Sequence, residues 1–87
     1  VLKAIEAPLR EIVNNAGGIM TDEVGVVTGE LTLRSELRAD GTLLLRVRYK
    51  DADEWYTVTD GSCELGCDCA FEPVHRFVVG LLDRPEG

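Results

Sequence analysis

The chain has 87 residues, 45% of them hydrophobic and 29% charged, with a formal net charge of −7. That length holds one domain around one core, and the composition excludes wholesale disorder. No apolar run approaches the ~18 residues of a membrane-spanning helix, and the negative balance disfavours nucleic acid as a partner, since a phosphate backbone is repelled. Three cysteines make an odd number, which suits a reducing cytosol better than a closed disulfide framework. Residues 1–6 are amphipathic and lack a signal-like apolar run, so a cytoplasmic protein is expected.

In chain order, Leu2, Ile5, Leu9, Ile12, Val13 and Ala16 are spaced mostly three and four apart. That stripe predicts a helix. Pro8 lacks the amide that would bond back to Ala4, so the helix is placed over residues 8–15, with a separate turn before it. Asn14, Asn15 and the Gly17-Gly18 pair then provide a left-handed stop.

Residues 2–17 also carry a family likeness. Ala4, Ile5, Glu6, Ala7, Pro8, Leu9, Ile12, Asn15 and Gly17 fall on a pattern that resembles a segment of the ATP-binding equatorial domain of group I chaperonins. The resemblance implies a helix broken around Glu6-Ala7-Pro8 and packed on its apolar side. The nucleotide-contacting and ring-contact segments that follow in a chaperonin have no counterpart in residues 18–87, so ATP hydrolysis and client folding do not carry over. Met20-Thr21-Asp22-Glu23 reads like a start of translation. Two organisations fit: a single domain over residues 1–87, or a chimera of a chaperonin-like helical segment (1–19) with an α+β module (20–87).

From Val24 the period changes to two. Leu31, Leu33, Ser35 and Leu37 share one face, and Glu30, Thr32, Arg34 and Glu36 the other. After Asp40-Gly41, Leu43, Leu45, Val47 and Tyr49 alternate with Leu44, Arg46, Arg48 and Lys50. A two-residue loop would set Leu33 opposite Arg48. A three-residue loop with Gly41 left-handed sets Leu37 opposite Leu43, Leu33 opposite Val47 and Leu31 opposite Tyr49, which keeps the apolar sets together. A four-residue loop over residues 51–54 then pairs Tyr49 with Tyr56 and Val47 with Val58, and Asp60-Gly61 ends the third strand. The acidic turn residues Asp22, Glu23, Asp51, Asp53 and Glu54 are expected only to aid solubility.

In the tail, Val74, Phe77, Val78, Leu81 and Leu82 recur at helical spacing. They predict an amphipathic helix from Pro73 that covers the sheet with that stripe. The expected architecture is α+β: an N-terminal helix, a three-stranded antiparallel meander and a C-terminal helix, with both helices on the Leu31/Leu33/Val47/Val58 face.

Two constellations carry chemistry. Cys63, Cys67, Cys69 and His75 would close a tetrahedral zinc site, since thiolate and imidazole are zinc's preferred ligands. Cys67, Cys69 and His75 resemble three ligand positions of SWIM-type zinc fingers. Pro73 stands at the fourth, so Cys63 would have to complete the set. Plain thiols, or a disulfide from Cys63 to Cys67 or Cys69, are the alternatives. A catalytic Cys–His pair is disfavoured because Glu64, Asp68 and Glu72 raise a neighbouring thiol's pKa. The second constellation is the solvent face of the meander, where Arg34, Arg46, Arg48, Lys50 and Trp55 would meet an acidic protein segment or stack on single-stranded nucleic acid, the alternative being a solvated face on which Glu30 and Glu36 partly balance the arginines. The order helix–three strands–helix matches the double-stranded RNA-binding fold, but that fold needs a basic start to its last helix and here Glu72 precedes a single Arg76.

No phosphate-binding loop, nucleophile elbow or paired-carboxylate site is present in the sequence. The expectation is therefore a non-enzymatic interaction or accessory domain that binds a protein partner or itself, with no cofactor. The alternative is a zinc-stabilised binding module.

Overall fold

The computed structural model describes residues 5–6, 9–66 and 68–85. The elements are β1 (Ile5–Glu6), β2 (Arg10–Thr21), β3 (Gly25–Leu37), β4 (Thr42–Tyr49), β5 (Tyr56–Glu64), a single 3-10 turn (Asp68–Ala70) and α1 (Phe71–Leu82). The fold is mostly β: four long antiparallel strands and the short β1 in one sheet, with one C-terminal helix. This corrects the helix–meander–helix expectation.

The expected N-terminal helix is a strand from Arg10 onward, while Ala7 and Pro8 of the proposed break lie outside the described residues. Its apolar spacing suited a helix, but its composition did not. Ile12, Val13, Ile19 and Thr21 are β-branched, and Asn14, Asn15, Gly17 and Gly18 are weak helix formers. A helix of about two turns is marginal in water, whereas β2 finds a full partner in β3. Arg10 pairs with Leu33, Ile12 with Leu31 and Asn14 with Gly29; after an interruption, Ile19 pairs with Val27 and Thr21 with Gly25. β2 also runs straight through the 19/20 boundary, so the two suggested segments share one strand.

Residues 15–18 bulge out of that ladder between Asn14 and Ile19. Gly17 and Gly18 have φ of 96° and 74°, in the left-handed region. A Cβ on Gly18 would lie 2.8 Å from the Val27 carbonyl oxygen, whereas one on Gly17 would meet nothing within 4 Å. Gly18→Ala is therefore expected to cost about 2–3 kcal/mol and Gly17→Ala about 1 kcal/mol, read from urea unfolding midpoints.

The β3–β4 hairpin has the register anticipated from the sequence. Leu31 pairs with Tyr49, Leu33 with Val47 and Leu37 with Leu43. Gly41 has φ of 91°. Its N–H donates to the Arg38 carbonyl, and the Arg38 N–H to the Thr42 carbonyl, each at 2.9 Å.

The next pairing differs by two residues. Val47 meets Tyr56 rather than Val58, because the turn takes in Trp55 and Asp51 adopts φ of 66°. Nor does Asp60-Gly61 end the strand. Asp60 at φ 58° forms a bulge, after which Leu44 pairs with Ser62 and Leu43 with Cys63.

β5 returns to β2 at one pair, Thr21 with Val58, and the Asp22 N–H donates to the Thr57 carbonyl at 3.0 Å. The four long strands thereby form a ring that is narrow on this side. Two turn carboxylates reinforce the closure, beyond the solubility role expected of them. Glu23 accepts from the Thr57 N–H (2.8 Å) and hydroxyl (3.0 Å), and Asp22 accepts from the Thr59 hydroxyl (2.6 Å). The Thr57 amide bond is the main reason that Glu23 sits below the usual carboxylate pKa.

The core lies between sheet and helix. Ile12, Val27, Leu31, Leu33, Leu45 and Val47 pack with Val79 of α1, while Leu37 and Leu43 pack with Phe71.

Candidate functional site: the groove between β5 and α1

α1 docks by a face turned away from the centre of its apolar stripe, with Val74, Val78 and Leu82 of that stripe still partly buried against the core. It buries Phe71, His75 and Val79, a line of every fourth residue. Phe77 and Leu81, expected in the core, are 67% and 57% exposed. The cause is what lies on either side of the helix. Its last turn is tied to β2 by Asn14, whose Nδ2 donates to the Leu82 carbonyl at 2.9 Å. Beyond the helix, the Arg84 N–H donates to the Val13 carbonyl (2.8 Å) and the Asn15 N–H to the Arg84 carbonyl (2.9 Å). These bonds hold the helix over the β2 side and leave the inner face of β4 and β5 partly uncovered.

The uncovered part is an open groove of about 360 Å³. Leu43 and Leu45 form its floor, β5 from Val58 to Cys63 one wall, and Val74, Val78 and Leu81 of α1 the other. A volume of this size lies within the range of natural ligand sites. Asp60 is the single formally charged side chain among the lining residues. The sequence held a signal for this groove in the surplus of apolar positions on α1. With apolar residues at 71, 74, 77, 78, 79, 81 and 82, α1 has more apolar surface than one sheet face can cover.

Among the described residues, Cys63, Cys69 and His75 do not converge as a ligand set. Cys63 is a free, exposed thiol on β5, which also excludes its proposed disulfides to Cys67 or Cys69. Cys69 is not a free thiol, and Cys67 lies outside the described residues. His75 is 3% exposed and shares a 2.7 Å hydrogen bond between its Nδ1 and Ser35 Oγ. Its ring stacks on Phe71 with centroids 6.2 Å apart. Among the described residues, no three His, Cys, Asp or Glu side chains converge as a metal-ligating group.

Burial lowers the pKa of His75, with Arg10 acting in the same direction and Glu72 against it. A histidine held neutral in the fold stabilises fully above its unfolded pKa of about 6.5, and that stability is lost as pH falls toward the folded value. Unfolding free energy is thus expected to drop by up to about 1.4 kcal/mol per pH unit below pH ~6.5. His75→Gln should flatten this region in urea titrations at pH 7.5 and 5.5. Glu23 and Asp40 have lowered pKa values, so their contributions fade only at more acidic pH, below about 4.5.

The basic face is assembled as the register implied, with Arg34 opposite Arg46. Its charges are largely matched within the chain. Arg34 pairs with Glu36 at 2.8 Å, Arg46 with the same carboxylate at 3.4 Å, and Lys50 with Glu30 at 3.8 Å. Arg46 also donates to the Thr57 hydroxyl at 3.2 Å. The guanidinium carbons of Arg34 and Arg48 lie 4.4 and 4.6 Å from the centre of the Trp55 ring, and the Nε of each is buried without a hydrogen-bond partner. Trp55 thus serves as an internal platform for two cations, which leaves little of this face free to grip an acidic segment.

No helix among the described residues is long and apolar enough to cross a membrane. No protein-family model, curated protein or solved structure matches the chain.

Proposed function

We propose that this domain is a non-enzymatic interaction module whose docking surface is the groove between β5 and α1. The observation that supports it is an open groove walled on the α1 side by exposed Leu81 and by the partly buried Val74 and Val78, whose remaining apolar surface no other residue among those described covers. Leaving apolar side chains on a groove wall forgoes roughly 25 cal/mol for each Å² kept from burial, which a partner recovers on docking. The basic face is the weaker surface because Glu36, Glu30 and Trp55 already occupy its cations. No observation favours a zinc-held module, since Cys63 and His75 are turned to different surroundings.

Affinity capture with the wild-type domain and with a Leu81→Glu variant, altered at an exposed position of the groove wall, tests the reading. Partners retained by the wild type should be lost by that variant and kept by Arg48→Glu. Equal retention by the groove variant, or loss with Arg48→Glu alone, would overturn it. The captured fraction should also be free of nucleic acid.

A further inference from the structure

The groove wall formed by β5 is also an unpaired sheet edge. The Leu65 N–H donates to the Gly41 carbonyl at 2.8 Å, and antiparallel ladders alternate between bonded and unbonded pairs. In that register Leu43 and Cys63 exchange bonds, while Ser62 and Glu64, opposite Leu44 and Thr42, point their amides and carbonyls away from β4. On that outer side β5 pairs with β2 only at Val58. The bulge at Asp60 then carries β5 away, and the free edge of β2 at Asn14 is taken by Arg84. Among the described residues, nothing pairs with the outer side of β5 from Thr59 to Glu64.

We infer that the groove accepts an extended peptide segment as an added strand on the outer edge of β5, with alternate apolar side chains set against Val74, Val78 and Leu81 and a lysine or arginine beside Asp60. The inference rests on the proposed docking role and names its partner class. Strand addition supplies backbone hydrogen bonds for affinity, and the alternation of side chains supplies selectivity. The outward backbone donors and acceptors of Ser62 and Glu64 favour an extended occupant over a helix, because a helix satisfies its own and offers them nothing. Charge selects its composition. Asp60 is the one charge of the lining and Glu64 closes the edge, both acidic in a chain of net charge −7. The same balance disfavours a second copy of this chain as occupant, since two such chains repel.

Selection of a random eight-residue peptide library on the immobilised domain tests this, with the most enriched peptide synthesised and labelled as the probe. The enriched sequences should alternate apolar residues and contain lysine or arginine. Ser62→Pro, which removes an outward amide without touching the β4 ladder, should weaken binding of the probe at least tenfold. Leu81→Glu should abolish it, and Asp60→Lys should favour acidic peptides instead. Should Ser62→Pro unfold the domain by circular dichroism, Glu64→Pro removes the neighbouring outward amide and serves the same purpose. Binding lost with Leu81→Glu but unchanged by the proline variants would overturn strand addition and leave the groove reading intact. Binding unchanged by all of them, or no enrichment over a blank surface, would overturn both. A concentration-dependent dimer broken by Ser62→Pro would make a second copy the occupant and refute the inference.

Discussion

Asn14→Ala is expected to lower the unfolding free energy by about 3 kcal/mol and the melting temperature by roughly 15 °C. Asn14 is only 1% exposed yet makes three hydrogen bonds. Its Oδ1 accepts from the Ala16 and Gly18 amides at 3.2 and 3.0 Å, and its Nδ2 donates to the Leu82 carbonyl at 2.9 Å. One side chain thus fills the bulge of β2 and clamps the end of α1. Alanine would strand two amides and a carbonyl near a core that offers no substitute, and each such loss costs on the order of 1 kcal/mol or more. Asn14→Asp retains the acceptor for the bulge and loses the donor to α1. Because it also buries a carboxylate with one oxygen against the Leu82 carbonyl, its melting temperature at pH 7 should fall at least as far as that of Asn14→Ala. A melting temperature for Asn14→Ala within 2 °C of wild type, by calorimetry, would show that the clamp is not formed.

Val79→Asp should unfold the domain, while Phe77→Asp should leave stability within about 0.5 kcal/mol of wild type. Val79 is 8% exposed in the main core cluster, where an unpaired carboxylate costs several kcal/mol, a large part of what a domain of this size possesses. Phe77 is exposed on the outer side of the helix. The pair decides between two helix orientations, since the 74/77/78/81 stripe alone would place Phe77 in the core. Denaturant titration of both proteins reads the difference. If Phe77→Asp is the more damaging, α1 is rotated and the groove does not exist.

The path of β2 has a matching consequence for the chain's organisation. Removing residues 1–19 deletes Ile12, Asn14 and Ile19 from the core and exposes the edge of β3 from Val27 to Leu33. The remaining 20–87 fragment is expected to lose its cooperative transition by circular dichroism. A cooperative melt would instead show that β2 is dispensable.

Where local pattern and turn chemistry agree, the sequence by itself determined the outcome. The Leu31/Leu33/Leu37 alternation, the matching Leu43/Val47 set and a glycine able to take φ of 91° at Gly41 admit one register, and that register forms. It also placed Arg34 opposite Arg46 and a helix at the C-terminus. Tertiary structure decided the rest, for identifiable reasons. Residues 10–16 carry a helix-like period, but backbone pairing with β3 outweighs a short helix of β-branched and asparagine residues. The β4–β5 register depends on Asp51 and Asp60 adopting left-handed backbone, which glycine signals much more strongly than aspartate. The cysteines are the neighbours of His75 in sequence, but the partner of its Nδ1 is Ser35, forty positions away. The groove lies furthest from local information. Periodicity shows that α1 has more apolar surface than one sheet face can cover. Which line is buried follows from Asn14 and Arg84 holding the helix to β2, contacts made across the whole length of the chain.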